Sequence, residues 1–271
     1  MNSTCPAAPP DLLLQPLWES ILRRERLLQS PLLPASFGFL AHLALSVPFL
    51  LVDVLGRRWP QMNCYRIAGG DPQVPVGDTL QLWGRCLLRI ACCHLTVIAP
   101  VTALLQCVRS PSLPPEAPRC ARALAEVALC LLLFDSVYFA WHVVIHRVPW
   151  LYQRVHSTHH QNRDTFALAA QDSSPWELLS LQTIALTCAA LLDCHPLSEM
   201  AFHMINIWMS VEDHCGHDLP WATHRLLPFH LLGGSPFHQT HHHHFRYNYA
   251  PYFTHWDRLC GTYRADTAEK P

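Results

Sequence analysis

The stretch "RVHSTHHQN" at residues 154–162 contains a histidine, two other residues and then a histidine pair, and "FHQTHHHHF" at 237–245 repeats that order. A third stretch, "WHVVIH" at 141–146, lies shortly before the first and carries two histidines four residues apart. Residues three and four apart share one face of a helix, so each stretch presents at least two imidazoles in one direction. These three stretches decide how the rest of the chain is interpreted.

The composition indicates a membrane protein. Half of the 271 residues are apolar and only 14% are charged, whereas soluble domains average roughly 25% charged residues. The formal net charge of −1 argues against a nucleic-acid surface, so no nucleic-acid partner is expected. The twelve cysteines include no CxxC pair, and we interpret them as small packing residues.

The apolar segments predict an all-α fold, a polytopic membrane helical bundle. Three of them are long enough to cross a hydrocarbon core of ~30 Å. The third segment contains Glu126 and Asp135, and a buried carboxylate in a membrane span requires a partner. The predicted spans are residues 37–55, 86–108 and 121–141.

Two shorter apolar segments, 176–192 and 197–211, predict a helical hairpin that enters the membrane and returns. Two histidine stretches follow the third span and the last follows the hairpin, so all three are expected on one membrane face. Three spans before His142 then put the N-terminus on the opposite face. The NST sequon at residues 2–4 is usable only in the lumen, which favours cytosolic histidines and a glycosylated, lumenal Asn2.

The N-terminal segment, residues 1–35, is expected to form a unit apart from the rest. Residues 11–29 have the pattern of an amphipathic helix, which either lies on the membrane surface or packs as an ordinary helix. No internal repeat or linker follows, so residues 36–271 are expected to form one membrane-embedded domain.

Eight histidines at helical spacing on one membrane face predict a shared metal centre. A metal ion needs several lone pairs converging at ~2.0–2.2 Å, and eight imidazoles exceed the needs of one tetrahedral ion, so two neighbouring ions are expected. Imidazole binds Zn, Cu, Fe and Ni alike, so the ligand type does not identify the metal. The competing interpretation is a surface histidine patch with adventitious affinity. The eight are His142, His146, His156, His159, His160, His238, His241 and His242.

The sequences "HVVIH", "HSTHH" and "HQTHH" resemble the three histidine boxes of the fatty acid hydroxylase/sterol desaturase superfamily. The intervening sequences "VPWLYQRVHSTHHQN", "NIWMSVEDHCGHDLPWATHRLLPF" and "NYAPYFTHWDRLCGT" resemble its sterol-hydroxylating members, over about residues 120–263. The resemblance implies a non-haem oxygenase with two Fe ions in the endoplasmic reticulum membrane, with O2 as co-substrate. It further implies electrons from NAD(P)H through a reductase and cytochrome b5, and cholesterol or a related sterol as the substrate in the membrane lipid.

The resemblance also extends the list of site residues. It assigns the eight box histidines as metal ligands and adds His214, in "EDHCG", as a ninth. Asp213, His255 and Asp257 are expected to hydrogen-bond to ligating imidazoles. His243 and His244 extend the third box and leave its register open, and His217 receives no role. Four further histidines are expected to be structural: His195, His203, His224 and His230.

Three functions remain open on the sequence. The first is a membrane sterol hydroxylase, and the second is another reaction of the superfamily, namely that of a sterol desaturase, a C4-methylsterol oxidase or a fatty acyl hydroxylase. The third is a histidine-rich membrane protein that handles metal. Clustering of the histidines at one membrane face favours a fixed site over a transport pathway.

Overall fold

A computed structural model describes residues 13–56, 59–67, 75–109 and 113–265. Within these ranges the regular elements are helices, joined by turns and two isolated β-bridges. The α-helices are α1 (Gln15–Leu22), α2 (Glu25–Leu28), α3 (Leu33–Leu55), α4 (Pro60–Asn63), α5 (Val76–Cys93), α6 (Ala99–Arg109), α7 (Cys120–Arg147), α8 (Pro149–Leu151), α9 (Pro175–Leu191), α10 (Pro196–Asp213), α11 (Thr223–Leu226), α12 (Gly234–His244) and α13 (His255–Leu259).

Three helical segments are long and apolar enough to cross a membrane: Leu33–Leu55, Val76–Cys107 and Cys120–Arg147. They confirm the predicted helical membrane bundle. The second joins α5 to α6 through a π-helical turn, His94–Ile98. α10 packs against α3 and α7, and α7 also packs against α9.

The second span begins at Val76 rather than at residue 86, so the predicted start is wrong. The first turns of α5 expose Asp78 and Arg85 while they bury Thr79 and Trp83. Amphipathic turns of this kind lower the local hydropathy. A search for continuous apolar segments therefore misses the beginning of the helix.

The two helices of the predicted hairpin are α9 and α10, each of which packs against α7, and the entry of this hairpin into the membrane remains a prediction. At its tip, His195 Nδ1 accepts from the Leu197 N–H (3.0 Å), so its Nε2–H donates to the Glu116 carbonyl (3.0 Å). His195 therefore has the structural role expected of it. The tip lies beside the start of α7, since the His195 N–H also donates to Glu126 (3.2 Å).

The N-terminal amphipathic segment is two short helices, α1 and α2, rather than one helix; residues 11–12 lie outside the described residues. Trp18 is fully buried, and its Nε1–H donates to the Pro114 carbonyl (2.8 Å). Leu17, in contrast, is exposed. The helix thus packs on the bundle along one side, and contact of its other side with a membrane remains a prediction, as does the domain division after residue 35.

The carboxylates of the third span have hydrogen-bond partners, except that Asp135 Oδ2 is buried without one among the described residues. Glu126 accepts from Arg122 Nε (2.6 Å) in addition to the hairpin tip. Asp135 accepts from the backbone N–H groups of Tyr252 (3.0 Å) and Phe253 (2.9 Å). Desolvating an unpaired carboxylate would be costly, so Asp135 fixes the 247–253 loop against α7.

Candidate metal centre

Two helices carry five of the nine predicted ligands. The last two turns of α7 carry His142 and His146, and the third histidine stretch forms α12. His243 and His244 are exposed, whereas His238, His241 and His242 of the same stretch are buried.

The remaining four histidines lie on short elements between these helices. His156 ends a π-helical turn, Tyr152–His156, and His159 and His160 begin a 3-10 turn. His214 is the C-cap of α10. Gln239 of α12 accepts from the Thr165 N–H (3.0 Å), which ties the third box to the segment after the second.

The nine histidines converge in two groups. Within each group, one nitrogen of every ring lies within 4.8 Å of those of the others. All nine rings are buried except that of His146, which is partly exposed. The first group is His142, His146, His156, His160 and His241; the second is His159, His214, His238 and His242.

The Nε2 atoms are the converging atoms. In the first group, His156 Nε2 lies 2.8 Å from that of His142 and 2.9 Å from that of His160. In the second group, His214 Nε2 lies 3.0 Å from that of His238 and 3.2 Å from that of His159. Neighbouring ligands at right angles around an ion at ~2.1 Å would be about 3.0 Å apart, so these separations fit metal coordination.

The hydrogen bonds of the opposite ring nitrogen define which nitrogen carries the lone pair. Five rings place Nδ1 at 2.6–3.0 Å from a carbonyl or carboxylate oxygen. These oxygens only accept, so Nδ1 carries the proton and Nε2 presents its lone pair. The five pairs are His142 with Tyr249 O, His156 with Glu177 Oε1, His214 with Ser210 O, His241 with Tyr247 O and His242 with Asn162 O.

Burial keeps these rings neutral. It lowers the pKa of His214 and of His241 to about 4, and it holds the pKa of His156 and His242 well below the ordinary value. Lone pairs that converge in a water-poor site repel one another unless a cation lies among them. The donor set therefore fits metal ions, and the histidine groups are able to bind metal.

Sequence reasoning missed Glu177, whose carboxylate orients a predicted ligand. Its side chain is almost fully buried, and Oε1 accepts from His156 Nδ1 at 2.8 Å. Such carboxylate–histidine contacts fix the ring and raise its basicity toward a metal. The SPWE pattern at 174–177 is the sequence feature that could have drawn attention to Glu177. It is a helix N-cap pattern, and Ser174 caps α9 by accepting from the Glu177 N–H (3.2 Å).

Asp257 supports the site through the backbone and does not hydrogen-bond to an imidazole, so that expectation is wrong. Its carboxylate accepts from the N–H groups of Tyr249 (2.9 Å) and Ala250 (2.8 Å). The Tyr249 carbonyl in turn accepts from His142 Nδ1 (2.6 Å). The "NYAPYFTHWD" sequence thus builds a rigid loop that aligns a histidine of the first group.

The other residues considered in the sequence lie outside both groups. His217 is buried, with Nδ1 2.9 Å from the Cys215 carbonyl and 3.9 Å from Asp53. His255 packs beside Trp256 (ring centroids 5.1 Å apart). Asp213 is buried next to His214.

A cavity of about 830 Å³ leads to the second group, with His159, His214 and His238 in its wall. Among the described residues, its wall contains no member of the first group. Ligand pockets of ~300–1,000 Å³ hold molecules of drug size, so the cavity accommodates a lipid-sized substrate.

Comparison with known proteins identifies relatives along nearly the whole chain. A model of the fatty acid hydroxylase family matches residues 127–262. The chain is 48% identical over 255 residues to cholesterol 25-hydroxylase of Mus musculus, and the aligned region covers 94% of this chain and 84% of the relative. It is 45% identical over 261 residues to cholesterol 25-hydroxylase of Homo sapiens, and the aligned region covers 96% of this chain and 93% of that relative.

A more distant relative is a methylsterol monooxygenase of Aspergillus fumigatus, 32% identical over 238 residues, which covers 83% of this chain and 75% of the relative. No solved structure gives a significant match to the chain.

Proposed function

The chain belongs to the fatty acid hydroxylase family, and from that premise we propose that it is a membrane sterol hydroxylase that inserts oxygen from O2 at C25 of cholesterol. The two relatives at 45–48% identity carry that activity in their names. The observation that supports the proposal most is the juxtaposition of a lipid-sized cavity with the four-histidine group.

The proposed cofactor is a pair of Fe ions, one in each histidine group. Bound iron would activate O2 with two electrons, so that one oxygen atom enters a C–H bond and the other leaves as water. The electrons are proposed to come from NAD(P)H through an external reductase and cytochrome b5. His142, His156 and His241 hold their Nε2 lone pairs in place through the Nδ1 contacts described above.

We propose that the reacting carbon lies beside the second group, because members of this group line the cavity. A substrate in the cavity contacts His159, His214 and His238. The apolar part of its wall would orient the chain of the substrate, which raises the effective concentration of the target C–H bond. Within the described part of the chain, no member of the first group lines the cavity. We infer that an ion in the first group acts together with the ion in the second group, on the side of the second group that faces away from the cavity.

The proposed location is the endoplasmic reticulum membrane, with the histidines cytosolic and the N-terminus lumenal. The three membrane-crossing helices precede most of the site, which supports an odd number of crossings between Asn2 and His156. Asn2 itself lies outside the described residues.

Feeding isotope-labelled cholesterol to cells that express the chain tests the proposal. We expect labelled 25-hydroxycholesterol from the wild type and none from His242→Gln, although the variant remains inserted in the membrane. Mass spectrometry identifies the product. A product desaturated or oxidised at a methyl group would instead assign one of the other superfamily reactions, and metal uptake without sterol turnover would support a metal-handling protein.

A further inference from the structure

We propose that Cys130 and Cys194 form a disulfide bond that joins α7 to the tip of the α9–α10 hairpin. This inference rests on the proposed topology, which puts the hairpin tip on the lumenal side of the membrane. The sequence predicts packing roles for the cysteines, and the proposed bond gives two of them a covalent role.

The sulfur atoms of these two residues are in contact. Their Sγ atoms lie 3.4 Å apart, although 64 positions separate the residues in the chain. Both are free thiols in this structure. A disulfide bond is ~2.05 Å long, so the sulfurs need to approach each other by about 1.4 Å. Cys194 lies in the turn between two helices, where a small adjustment of the side chain and the turn allows this approach.

Independent hydrogen bonds hold the turn in this register against α7. The His195 N–H, which directly follows Cys194, donates to Glu126 (3.2 Å). Glu126 and Cys130 are four residues apart and share one face of α7. The Cys194 N–H donates to the Ala189 carbonyl (3.1 Å). The contact between the sulfurs therefore belongs to a fixed arrangement of the turn and the helix.

The pair lies near the lumenal end of the bundle in the proposed topology. From Glu126 to His146, helix α7 rises about 30 Å, which matches the ~30 Å of a hydrocarbon core. Cys130 is thus one turn inside the lumenal boundary. Cys194 is partly exposed, whereas Cys130 is fully buried. Disulfides form and persist in the endoplasmic reticulum lumen, whereas the cytosol keeps thiols reduced.

Oxidation of the pair would proceed by thiol–disulfide exchange with a lumenal disulfide, carried by glutathione or by a protein. The more accessible Cys194 thiolate attacks one sulfur of this oxidant, and the other oxidant sulfur leaves as a thiolate. The Cys130 thiolate then attacks Cys194 Sγ and releases the first oxidant sulfur. The oxidant gains two electrons, and its two thiolates take up the protons that the cysteines lose.

The bond would close a chain loop that contains most of the first histidine group. His142, His146, His156 and His160 all lie between the two cysteines. A cross-link across a long loop restricts the unfolded chain and so favours the folded one. Reductant should therefore lower the unfolding temperature of the wild type by roughly 5–15 °C and leave that of Cys194→Ser unchanged.

Peptide mapping by mass spectrometry tests the bond directly. The full-length chain is expressed in cultured cells, its free thiols are alkylated at lysis, and it is purified and digested without reductant. We expect a linked pair of peptides that contain Cys130 and Cys194, which separate after reduction. Cys188→Ser is the matched control, because Cys188 is buried in the same core cluster as Cys130, and it should retain the link. Cys194→Ser should lose the link and leave Cys130 alkylated.

Alkylation of both Cys130 and Cys194 in the unreduced wild type would overturn the inference, as would a bond from either residue to Cys188. The outcome is independent of sterol turnover. Free thiols in a chain that produces 25-hydroxycholesterol reject the disulfide and leave the proposed function intact. A Cys130–Cys194 bond in a chain without sterol turnover supports the disulfide while the proposed function fails.

Discussion

Glu177 positions one ring of the predicted first metal site. It holds His156 Nδ1 at 2.8 Å in a fully buried setting. Removing the carboxylate leaves a buried ring N–H without its acceptor, which costs more than the hydrogen bond itself contributes. The ring is then free to rotate away from the other four members of its group.

Glu177→Leu should therefore weaken metal binding by the first group about 10- to 100-fold, the range for loss of a carboxylate behind a histidine ligand. Titration of the metal-loaded protein with a chelator measures this loss. Glu177→Gln keeps an acceptor oxygen and should lose less, and Glu25→Leu, an exposed site on α2, should lose nothing. Unchanged metal affinity in Glu177→Leu would contradict the positioning role.

At the residue scale, helical spacing could be read from the sequence, whereas contacts between distant segments could not. Spacing identified the eight box histidines because positions four apart share one face of a helix. The histidines four apart within each box fall in one group, whereas those three apart are divided between the two groups. His214 was identified by resemblance alone, since one histidine at a helix end has no spacing to read. Glu177 and the carbonyls of Tyr247 and Tyr249 were missed because their roles depend on how separate segments meet. Ligation by the nine histidines remains a prediction.

At the scale of elements, the loop after α10 sets the position of His214. Gly216 has φ +72°, a left-handed conformation, and a Cβ there would lie 2.5 Å from the Thr165 carbonyl oxygen. Both the backbone angle and the backbone contact oppose any side chain.

Gly216→Ala should destabilise this loop by about 1–3 kcal/mol and release metal from the second group before the first. Thermal unfolding in detergent and metal analysis measure the two effects. Gly84→Ala is the matched control, because a Cβ at Gly84 meets nothing within 4 Å in α5 and alanine favours a helix. A Gly216→Ala protein as stable as the Gly84→Ala protein would contradict the account.

The membrane helices were predictable because length and apolarity determine them. Glu126 and one oxygen of Asp135 have the partners predicted for them. The beginning of α5 was not predictable from hydropathy, since its first turns are amphipathic. Trp18 is fixed by tertiary contact with the 113–117 loop, which no local pattern reveals.

At the scale of the whole molecule, the proposed topology has three crossings and an N-terminus on the membrane face opposite the histidines. Asn2 should therefore be glycosylated, and the wild type should migrate faster on a gel after endoglycosidase treatment. Untreated Asn2→Gln should migrate at the position of the treated wild type. A chain that is unglycosylated at Asn2, with a tag at its N-terminus accessible from the cytosol, would overturn this topology.

The measurement that tests the central claim most directly is the iron content of the purified, reconstituted chain. Two histidine groups predict two Fe per chain in the wild type. His241→Gln, in the first group, and His242→Gln, in the second, should each lower the content toward one Fe per chain, because each loses a ligand from a different ion. One Fe per wild-type chain, or two Fe in both variants, would contradict a dinuclear centre built from these nine histidines.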